Sequence, residues 1–242
     1  EPPHNFILLG WLGVSRLFVS FYVVSRIREV PLPADRTFGR QSMGDAWRET
    51  YRILRHDSRV GWLVAARTFR TCGFLIGTYM TAVFIERCGL TNEQMWIPVV
   101  LATVPQIVNH IVSGWFVDRF GAKTAQTLSA FLVFLNSIQL FYCDTVGAFV
   151  VLYICTGFGG SLLMNSWTPL MMKLAPPATR AAYASTVTLA AAPGSVAVAI
   201  LGMVLVYYSG FDHVFYVSMA GGLIASLLFF FKVPNLLQAP QE

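Results

Sequence analysis

Long apolar segments constrain the fold of this chain more than any other feature of its sequence. Each of seven such segments reaches or approaches the roughly 20 residues that an α-helix needs to cross about 30 Å of hydrocarbon. They span residues 5–24, 60–85, 96–117, 124–142, 146–170, 182–208 and 214–231. Charged residues make up only 12% of the chain, whereas soluble domains carry about 25%. The apolar runs are continuous and do not alternate as barrel strands do, so we predict an all-α integral membrane protein, a bundle of about seven transmembrane helices.

Basic residues are distributed unevenly among the loops that join these segments. One set of loops and the C-terminal tail carries most of them: Arg26, Arg28, Arg36, Arg40, Arg48, Arg52, Arg55, Arg59, Arg119, Lys123, Lys173, Arg180 and Lys232. The intervening loops contain Arg87 and no other lysine or arginine. Because cytoplasmic loops are enriched in these residues, we predict that the arginine-rich loops and the C-terminus are cytoplasmic. This topology accounts for the net charge of +5, and we expect no nucleic-acid partner.

The longest hydrophilic segment lies between the first two apolar segments, at residues 25–59. Within it, Trp47, Tyr51 and Leu54 recur at helical spacing, with arginines on the other faces. This pattern predicts a short amphipathic helix at the cytoplasmic lipid boundary. A solvated linker helix is the alternative.

The residues that would support metal, redox or enzymatic chemistry show no recognisable spacing. Cys72, Cys88, Cys143 and Cys155 form no short paired motif, so we predict no metal and no cofactor. Cys88 and Cys143 fall near the same predicted membrane face, where they either form a disulfide or remain free. No nucleophile–base pair or phosphate-binding loop is evident, which disfavours an enzyme.

A charged turn at residues 113–123 separates the segments 96–117 and 124–142. It matches the pattern Gly-x-x-x-Asp-Arg-x-Gly-x-Lys at Gly114, Asp118, Arg119, Gly121 and Lys123. With this spacing and context, the turn resembles the loop signature of the major facilitator superfamily of transporters. Residues 86–91 resemble the short external turn of that family, and residues 176–185 resemble the loop that enters its eleventh helix.

The resemblance implies a division of the chain. Transporters of this family have two six-helix halves joined by a long cytoplasmic loop, and the signature follows the second helix of each half. By that scheme, residues 1–24 are the last helix of an N-terminal half that is otherwise missing, residues 25–59 are the central loop, and residues 60–242 are the C-terminal six-helix bundle. An N-terminal six-helix half is then an expected partner, together with membrane lipids.

Each residue of the charged turn has a physical role that we can predict. Gly114 allows two helices to approach closely, and Gly121 permits a tight reversal. Asp118, expected just past a helix end, accepts hydrogen bonds from the start of a neighbouring helix, while Arg119 and Lys123 hold the turn at the anionic membrane surface. The resemblance implies that this aspartate latches onto the opposite half. The alternative is that it only caps a solvated turn.

Polar residues inside the apolar segments are candidates for a solute-binding cavity: Arg67, Arg70, Tyr79, Gln106, Asn109, His110, Asn136 and Asn165. Gln106 and His110 are four residues apart and share a helix face, so they either line a cavity or bond a neighbouring helix. Arg67 and Arg70 either extend to the membrane surface or face the cavity and select an anionic or zwitterionic solute. The acidic residues all fall in loops, tails or span ends, so a proton-coupling group here would be His110.

The resemblance implies that the chain takes part in moving a small molecule or ion across a membrane by alternating access. The alternative is a membrane scaffold or assembly subunit that keeps the same fold without transporting. We expect a multi-pass protein of the bacterial inner membrane or the plasma membrane.

Overall fold

A computed structural model describes residues 43–91, 94, 96–175 and 180–233 of the chain. These residues form eight helices: α1 (Met43–His56), α2 (Ser58–Thr71), α3 (Gly73–Cys88), α4 (Trp96–Phe120), α5 (Ala122–Phe141), α6 (Val146–Leu174), α7 (Arg180–Ser209) and α8 (Phe211–Phe231). They belong to one compact unit that begins at Met43. The predicted span at residues 5–24 lies outside the described residues.

The predicted membrane helices from residue 60 onwards are confirmed. Six helices are long and apolar enough to cross a membrane: Ser58–Cys88, Trp96–Phe120, Ala122–Phe141, Val146–Leu174, Tyr183–Ser209 and Phe211–Phe231. The first of these combines α2 and α3, which are separated by a turn at Cys72. At that turn the Leu75 N–H bonds to the Cys72 carbonyl, three residues back, instead of four as in an α-helix. The chain belongs to the class of multi-pass helical membrane proteins.

The two ends of the bundle are named here by the turns that lie at them. The basic end carries α1, Asp57 and Gly121, and the far end carries Gly89, residues 142–145 and Gly210. The short helix predicted from Trp47, Tyr51 and Leu54 is confirmed as α1 at the basic end. It buries Thr50 and exposes Tyr51, so one of its faces packs on the bundle.

The helix α8 lies against both α2 and α5, and two adjacent glycines allow this close approach. A Cβ atom on Gly221 would be 2.8 Å from the Phe69 carbonyl oxygen, and one on Gly222 would be 2.7 Å from the Phe134 amide nitrogen. The Ser218 hydroxyl donates a 2.6 Å hydrogen bond to the Cys72 carbonyl, which becomes available where α2 ends. Backbone therefore meets backbone along this contact.

Large apolar side chains fill the rest of the interior in two clusters. The cluster toward the basic end includes Leu63, Leu170 and Phe229. The cluster toward the far end includes Phe84 and Phe149, whose rings stack with centroids 4.5 Å apart.

Two helices leave most of their surface uncovered within the described residues. Only 18% of the apolar window of α4 and 11% of that of α7 is buried, against 50% of the Ser58–Cys88 span. The uncovered surface of α4 includes Ile107 and Ile111, and that of α7 includes Val196 and Met203. We call these two surfaces the open faces of α4 and α7.

Candidate functional site

A cavity of about 260 Å³ lies between the helices at the level of the turn that separates α2 from α3. Its lining residues come from α2, α3, α5, α6, α7 and α8: Arg67, Arg70, Thr71, Phe74, Gln126, Leu163, Met164, Trp167, Thr168, Ser195 and Phe229. At a rise of about 1.5 Å per residue, Arg70 lies about 18 Å along the span from Ser58 and about 27 Å from Cys88. We call this space the arginine cavity.

Arg70 is held inside the bundle by a hydrogen-bond chain. Its side chain is only 6% exposed, and Nη2 donates a 3.0 Å hydrogen bond to Ser129 Oγ. The Ser129 hydroxyl in turn donates to the Gly159 carbonyl at 2.6 Å. Gly73 gives the guanidinium room, since a Cβ atom there would lie 2.7 Å from Arg70 Nη1. The alternative in which Arg70 extends to the membrane surface is therefore wrong.

Arg67 lies one helical turn closer to the basic end and contacts an aromatic ring. Its guanidinium carbon is 4.1 Å from the centroid of the Trp167 ring. Such a cation–π contact contributes about 0.5–2 kcal/mol, more when water is excluded. Within the described part of the chain, Arg67 Nη1 is buried and has no hydrogen-bond partner.

The arginine cavity carries positive charge without a counter-charge among the described residues. None of its lining residues is acidic, and none of the ion pairs found involves Arg67 or Arg70. Both guanidinium groups remain protonated at any physiological pH. Since an arginine at the membrane centre costs about 2.5–3.5 kcal/mol on insertion scales, the serine bond and the indole contact offset only part of this penalty.

A second cavity of about 440 Å³ adjoins the first on its far-end side. The two share Thr71, Phe74 and Ser195, and the second also reaches Leu75, Thr78, Tyr79, Val198 and Ala199. Its lining is uncharged, with hydroxyl groups among apolar side chains. We call it the neutral cavity, and the lining changes from charged to uncharged between the first cavity and the second.

One face of the α2–α3 span supplies both cavities. Arg67, Arg70, Thr71, Phe74, Leu75, Thr78 and Tyr79 follow one another at alternating steps of three and one. Such spacing places them on a single helical stripe. Of the predicted cavity residues, the structure brings Arg67, Arg70 and Tyr79 together on this stripe.

The three predicted asparagines tie helices together and do not line either cavity. Asn109 Nδ2 donates to the Ile154 carbonyl at 3.1 Å, which links α4 to α6. Asn165 Nδ2 donates to Ser113 Oγ at 2.7 Å, a second link between the same helices. Asn136 Nδ2 donates to Thr156 Oγ1 at 3.1 Å, which links α5 to α6. These bonds match the helix-packing role of polar residues in membranes.

Gln106 and His110 share the exposed side of α4 as their spacing predicts, but neither lines the two cavities. Both side chains are exposed. The His110 backbone carbonyl accepts from Asn165 Nδ2 at 3.0 Å and from Ser113 Oγ at 3.1 Å. Their polar groups therefore lie with the open face of α4.

The charged turn reverses the chain at Gly121 as predicted, but the helix before it ends later than predicted. Gly121 has a φ of +86°, a conformation that favours glycine, and it separates α4 from α5. The helix α4 continues to Phe120, so the expectation that Asp118 lies past the helix end is wrong. Asp118 is exposed in the last turn, where the negative end of the helix dipole disfavours a carboxylate by about 0.3–1 kcal/mol.

The other residues of the turn make few contacts. The Arg119 guanidinium lies 5.7 Å from the Trp115 ring centroid, and Lys123 is half-buried. A Cβ atom on Gly114 would come no closer than 4.0 Å, to Asn165 Nδ2. None of the described helices therefore requires glycine at this position.

Asp57 organises the junction of α1, α2 and α7 at the basic end. It caps α2 by accepting from the Arg59 N–H at 3.0 Å and also pairs with the Arg59 side chain at 2.9 Å. The Tyr183 hydroxyl of α7 donates to the same carboxylate at 3.4 Å. The Arg59 guanidinium lowers the pKa of Asp57 below its usual range.

Arg87 has the corresponding role at the far end. Its Nη1 donates to the Leu140 carbonyl at 2.8 Å, and its guanidinium lies 3.8 Å from Asp144 and from Asp212. One side chain therefore joins the ends of α3, α5 and α8.

The cysteines at this end are free. Neither Cys88 nor Cys143 is in a disulfide, so the disulfide alternative is not realised. Burial raises the pKa of the Cys143 thiol.

Several cavity residues were not predicted from the sequence. Thr71, Phe74, Gln126, Thr168 and Ser195 all line a cavity. Thr71 and Phe74 could have been predicted from the sequence, because they continue the helical spacing of the two arginines along α2 and α3. Gln126 and Ser195 are isolated polar residues on other helices and gave no such signal.

Comparison with known proteins identifies relatives of the chain. The family model described as "Major Facilitator Superfamily" matches residues 6–192 and 110–241. Among curated proteins, "Putative multidrug resistance protein MdtD" of Pectobacterium atrosepticum is 26% identical over 133 residues. The protein of the same name from Pectobacterium carotovorum subsp. carotovorum shows the same identity over the same length. Each match covers 54% of this chain and 28% of the relative.

Proposed function

Since the chain belongs to the major facilitator superfamily, a family of transporters and not of enzymes, we propose that it forms one half of a carrier that moves a small solute by alternating access. The solute binds in the arginine cavity and the adjoining neutral cavity. The observation that carries this proposal is a cavity between the helices, near the middle of the α2–α3 span, that is lined by both charged and apolar groups.

The open faces of α4 and α7 support the presence of a second half. Ile111 on α4 is 73% exposed, and Met203 on α7 is 63% exposed. An exposed apolar surface does not by itself indicate a protein contact, because it is equally stable against lipid. The polar side chains of Gln106 and His110 are also exposed on α4, and they favour contact with protein or with a water-filled path. We assign these faces to the contact with the other half, which leaves the arginine cavity between the halves.

The charged turn supports a latch at the basic end. Asp118 is exposed and makes no hydrogen bond or ion pair within the ranges that the structure describes. Its position at the unfavourable end of its own helix would be offset by a helix N-terminus or a basic side chain of the other half. Arg119, Gly121 and Lys123 shape and anchor this turn.

Transport by the full-length protein in liposomes tests the proposal. The measurement is uptake of a panel of labelled solutes under a proton, sodium or solute gradient. We expect Ser195→Trp, which fills both cavities, to abolish uptake of any solute that moves, while Leu227→Trp on the exposed side of α8 leaves uptake unchanged. If no solute moves under any gradient, the scaffold alternative replaces this proposal.

A further inference from the structure

We infer that the solute is an amphiphilic organic anion, whose oxyanion group binds Arg67 and Arg70 and whose apolar body extends into the neutral cavity. The identification of this anion as a transported solute rests on the proposed function. The binding that it requires is nevertheless measurable without transport.

The first step of the argument is the unused hydrogen-bonding capacity of the two arginines. A guanidinium has five N–H donors, and Arg70 engages Ser129 through Nη2 while its Nε is buried with no partner in the described part of the chain. Arg67 Nη1 is also buried without a partner, among the described residues. Both side chains line the same cavity, so one ligand bound there is the candidate partner for their unpaired donors.

The second step is the type of group that satisfies such donors. Guanidinium groups bind planar or tetrahedral oxyanions through paired N–H donors, which makes them well suited to carboxylate and phosphate. No carboxylate lines the arginine cavity, so no described side chain competes with a ligand for this role. An oxyanion also offsets part of the electrostatic penalty of the buried charges.

The third step is the shape and chemistry of the remaining space. The neutral cavity continues along the same stripe of α2 and α3, past Phe74 and Leu75 to Tyr79. This lining suits an aromatic or aliphatic body and offers only hydroxyl groups to polar substituents. Trp167 stacks on Arg67 and supplies a further apolar wall beside the charged group.

Gln126 adds a finer preference. Its Nε2 donates to the Leu163 carbonyl at 3.1 Å, which fixes the orientation of the amide and leaves Oε1 buried without a partner in the described structure. The free Oε1 accepts a hydrogen bond from a hydroxyl or ammonium group close to the oxyanion. A hydroxy acid or amino acid with an apolar side chain matches this set of donors and acceptors.

A series of ligands that differ only in their head group tests the inference. The probes are 4-phenylbutyrate, 4-phenyl-1-butanol and 4-phenylbutylamine, and their binding to the detergent-purified full-length protein is measured by calorimetry. We expect the carboxylate to bind at least about tenfold more tightly than the alcohol or the amine, the difference that one charge-assisted hydrogen bond makes. Equal binding of the three, or no binding of the carboxylate, overturns the inference.

Charge-removing variants locate the site. We expect Arg67→Gln and Arg70→Gln to lose at least about tenfold in affinity for 4-phenylbutyrate, whereas Lys173→Gln, which removes an exposed positive charge at the end of α6, retains it. Equal loss in all three variants overturns the site. Should Arg70→Gln fail to fold, Arg67→Gln and the head-group series still decide the question.

Lipid is the other source of an oxyanion on an apolar body. Titration with phosphatidylglycerol and with phosphatidylcholine separates the two sources. If phosphatidylglycerol displaces 4-phenylbutyrate and phosphatidylcholine does not, the site binds a lipid head group, and the proposal of a soluble anion is overturned. Arginine-dependent binding in a protein that transports nothing would contradict the proposed function and leave the binding site intact.

Discussion

At the scale of single residues, the placement of the Arg70 guanidinium depends on the absence of a side chain at Gly73. A Cβ atom at this position would lie 2.7 Å from Arg70 Nη1 and 2.7 Å from Val133 Cγ2. Both distances are shorter than atoms of these types tolerate, so a methyl group would displace the guanidinium or the helix α5. The glycine therefore has a positional role that helix propensity alone does not explain.

We expect Gly73→Ala to lower stability by about 1–3 kcal/mol, because the new methyl group overpacks this contact. Gly77→Ala is the matched control on the same helix, since no atom of the other described helices lies within 4 Å of the added Cβ. The control should be neutral or should stabilise by up to about 1 kcal/mol through helix propensity. The measurement is thermal unfolding in detergent, and equal unfolding temperatures for the two variants would contradict the expectation.

The sequence predicted some of the cavity and missed the rest for identifiable reasons. Arg67, Arg70 and Tyr79 were recognisable because they are polar groups inside an apolar run. Whether Arg70 faces the membrane surface or the interior depends on Ser129, which is 59 residues away and cannot be paired with it from sequence spacing. The role of Gln126 could not be predicted either, because whether its amide lines a cavity or bonds a neighbouring helix depends on which residues surround it in the fold.

At the scale of secondary-structure elements, the helix boundaries differ from the predicted spans where glycine or a cap decides them. Hydropathy predicted an end at residue 117 for the second described span, but α4 continues to Phe120 and ends where the next residue, Gly121, has a positive φ. The start of α2 was predicted at residue 60 and lies at Ser58, where the Asp57 carboxylate caps the helix by accepting from the Arg59 N–H. Hydropathy averages over a window, whereas helix ends depend on single residues.

The short helix α1 is attached to α7 through Asp57, and the attachment should depend on pH. The pKa of Asp57 is lowered from 3.8 because the Arg59 side chain bonds the carboxylate. A group with a lowered folded pKa stabilises the fold above its unfolded pKa, and this contribution is lost as the pH falls through the folded pKa. We expect the wild type to lose stability below about pH 4 more steeply than Asp57→Asn, as measured by unfolding temperature from pH 6 to pH 3.

Glu86→Gln is the control for this pH series, because it removes an exposed carboxyl group from the opposite end of the bundle. It should follow the wild-type curve. Parallel curves for the wild type and Asp57→Asn would show that the carboxylate does not anchor α1.

The far end of the bundle should loosen when Arg87 is removed, since this side chain bonds carbonyl groups at the end of α5 and approaches Asp212 at the start of α8. We expect Arg87→Ala to lower stability by about 1–3 kcal/mol, because the carbonyl groups lose their donor. The variant should also increase the rate at which a maleimide labels Cys143, which is buried in the wild type. Labelling of Cys143 at the wild-type rate would contradict the proposed role of Arg87.

At the scale of the whole molecule, the charged turn and the open faces belong to the same proposal. Asp118 has no partner within the described ranges, and α4, which carries it, is among the least covered helices. We expect Asp118→Asn in the full-length protein to reduce solute uptake by about tenfold, the effect of losing one charge-assisted hydrogen bond. Asp144→Asn at the far end is the control, and uptake at the wild-type rate in Asp118→Asn would refute the latch.

The adjacent glycines of α8 have a mechanical consequence for any such cycle. A Cβ atom on Gly221 would meet the Phe69 carbonyl and the Cys72 side chain, and one on Gly222 would meet the Phe134 amide and the Val133 side chain. Neither neighbour can slide along α8 without a collision between main chains. We therefore expect the three helices to keep their register, so that under the proposed alternating access this core would be displaced as a unit.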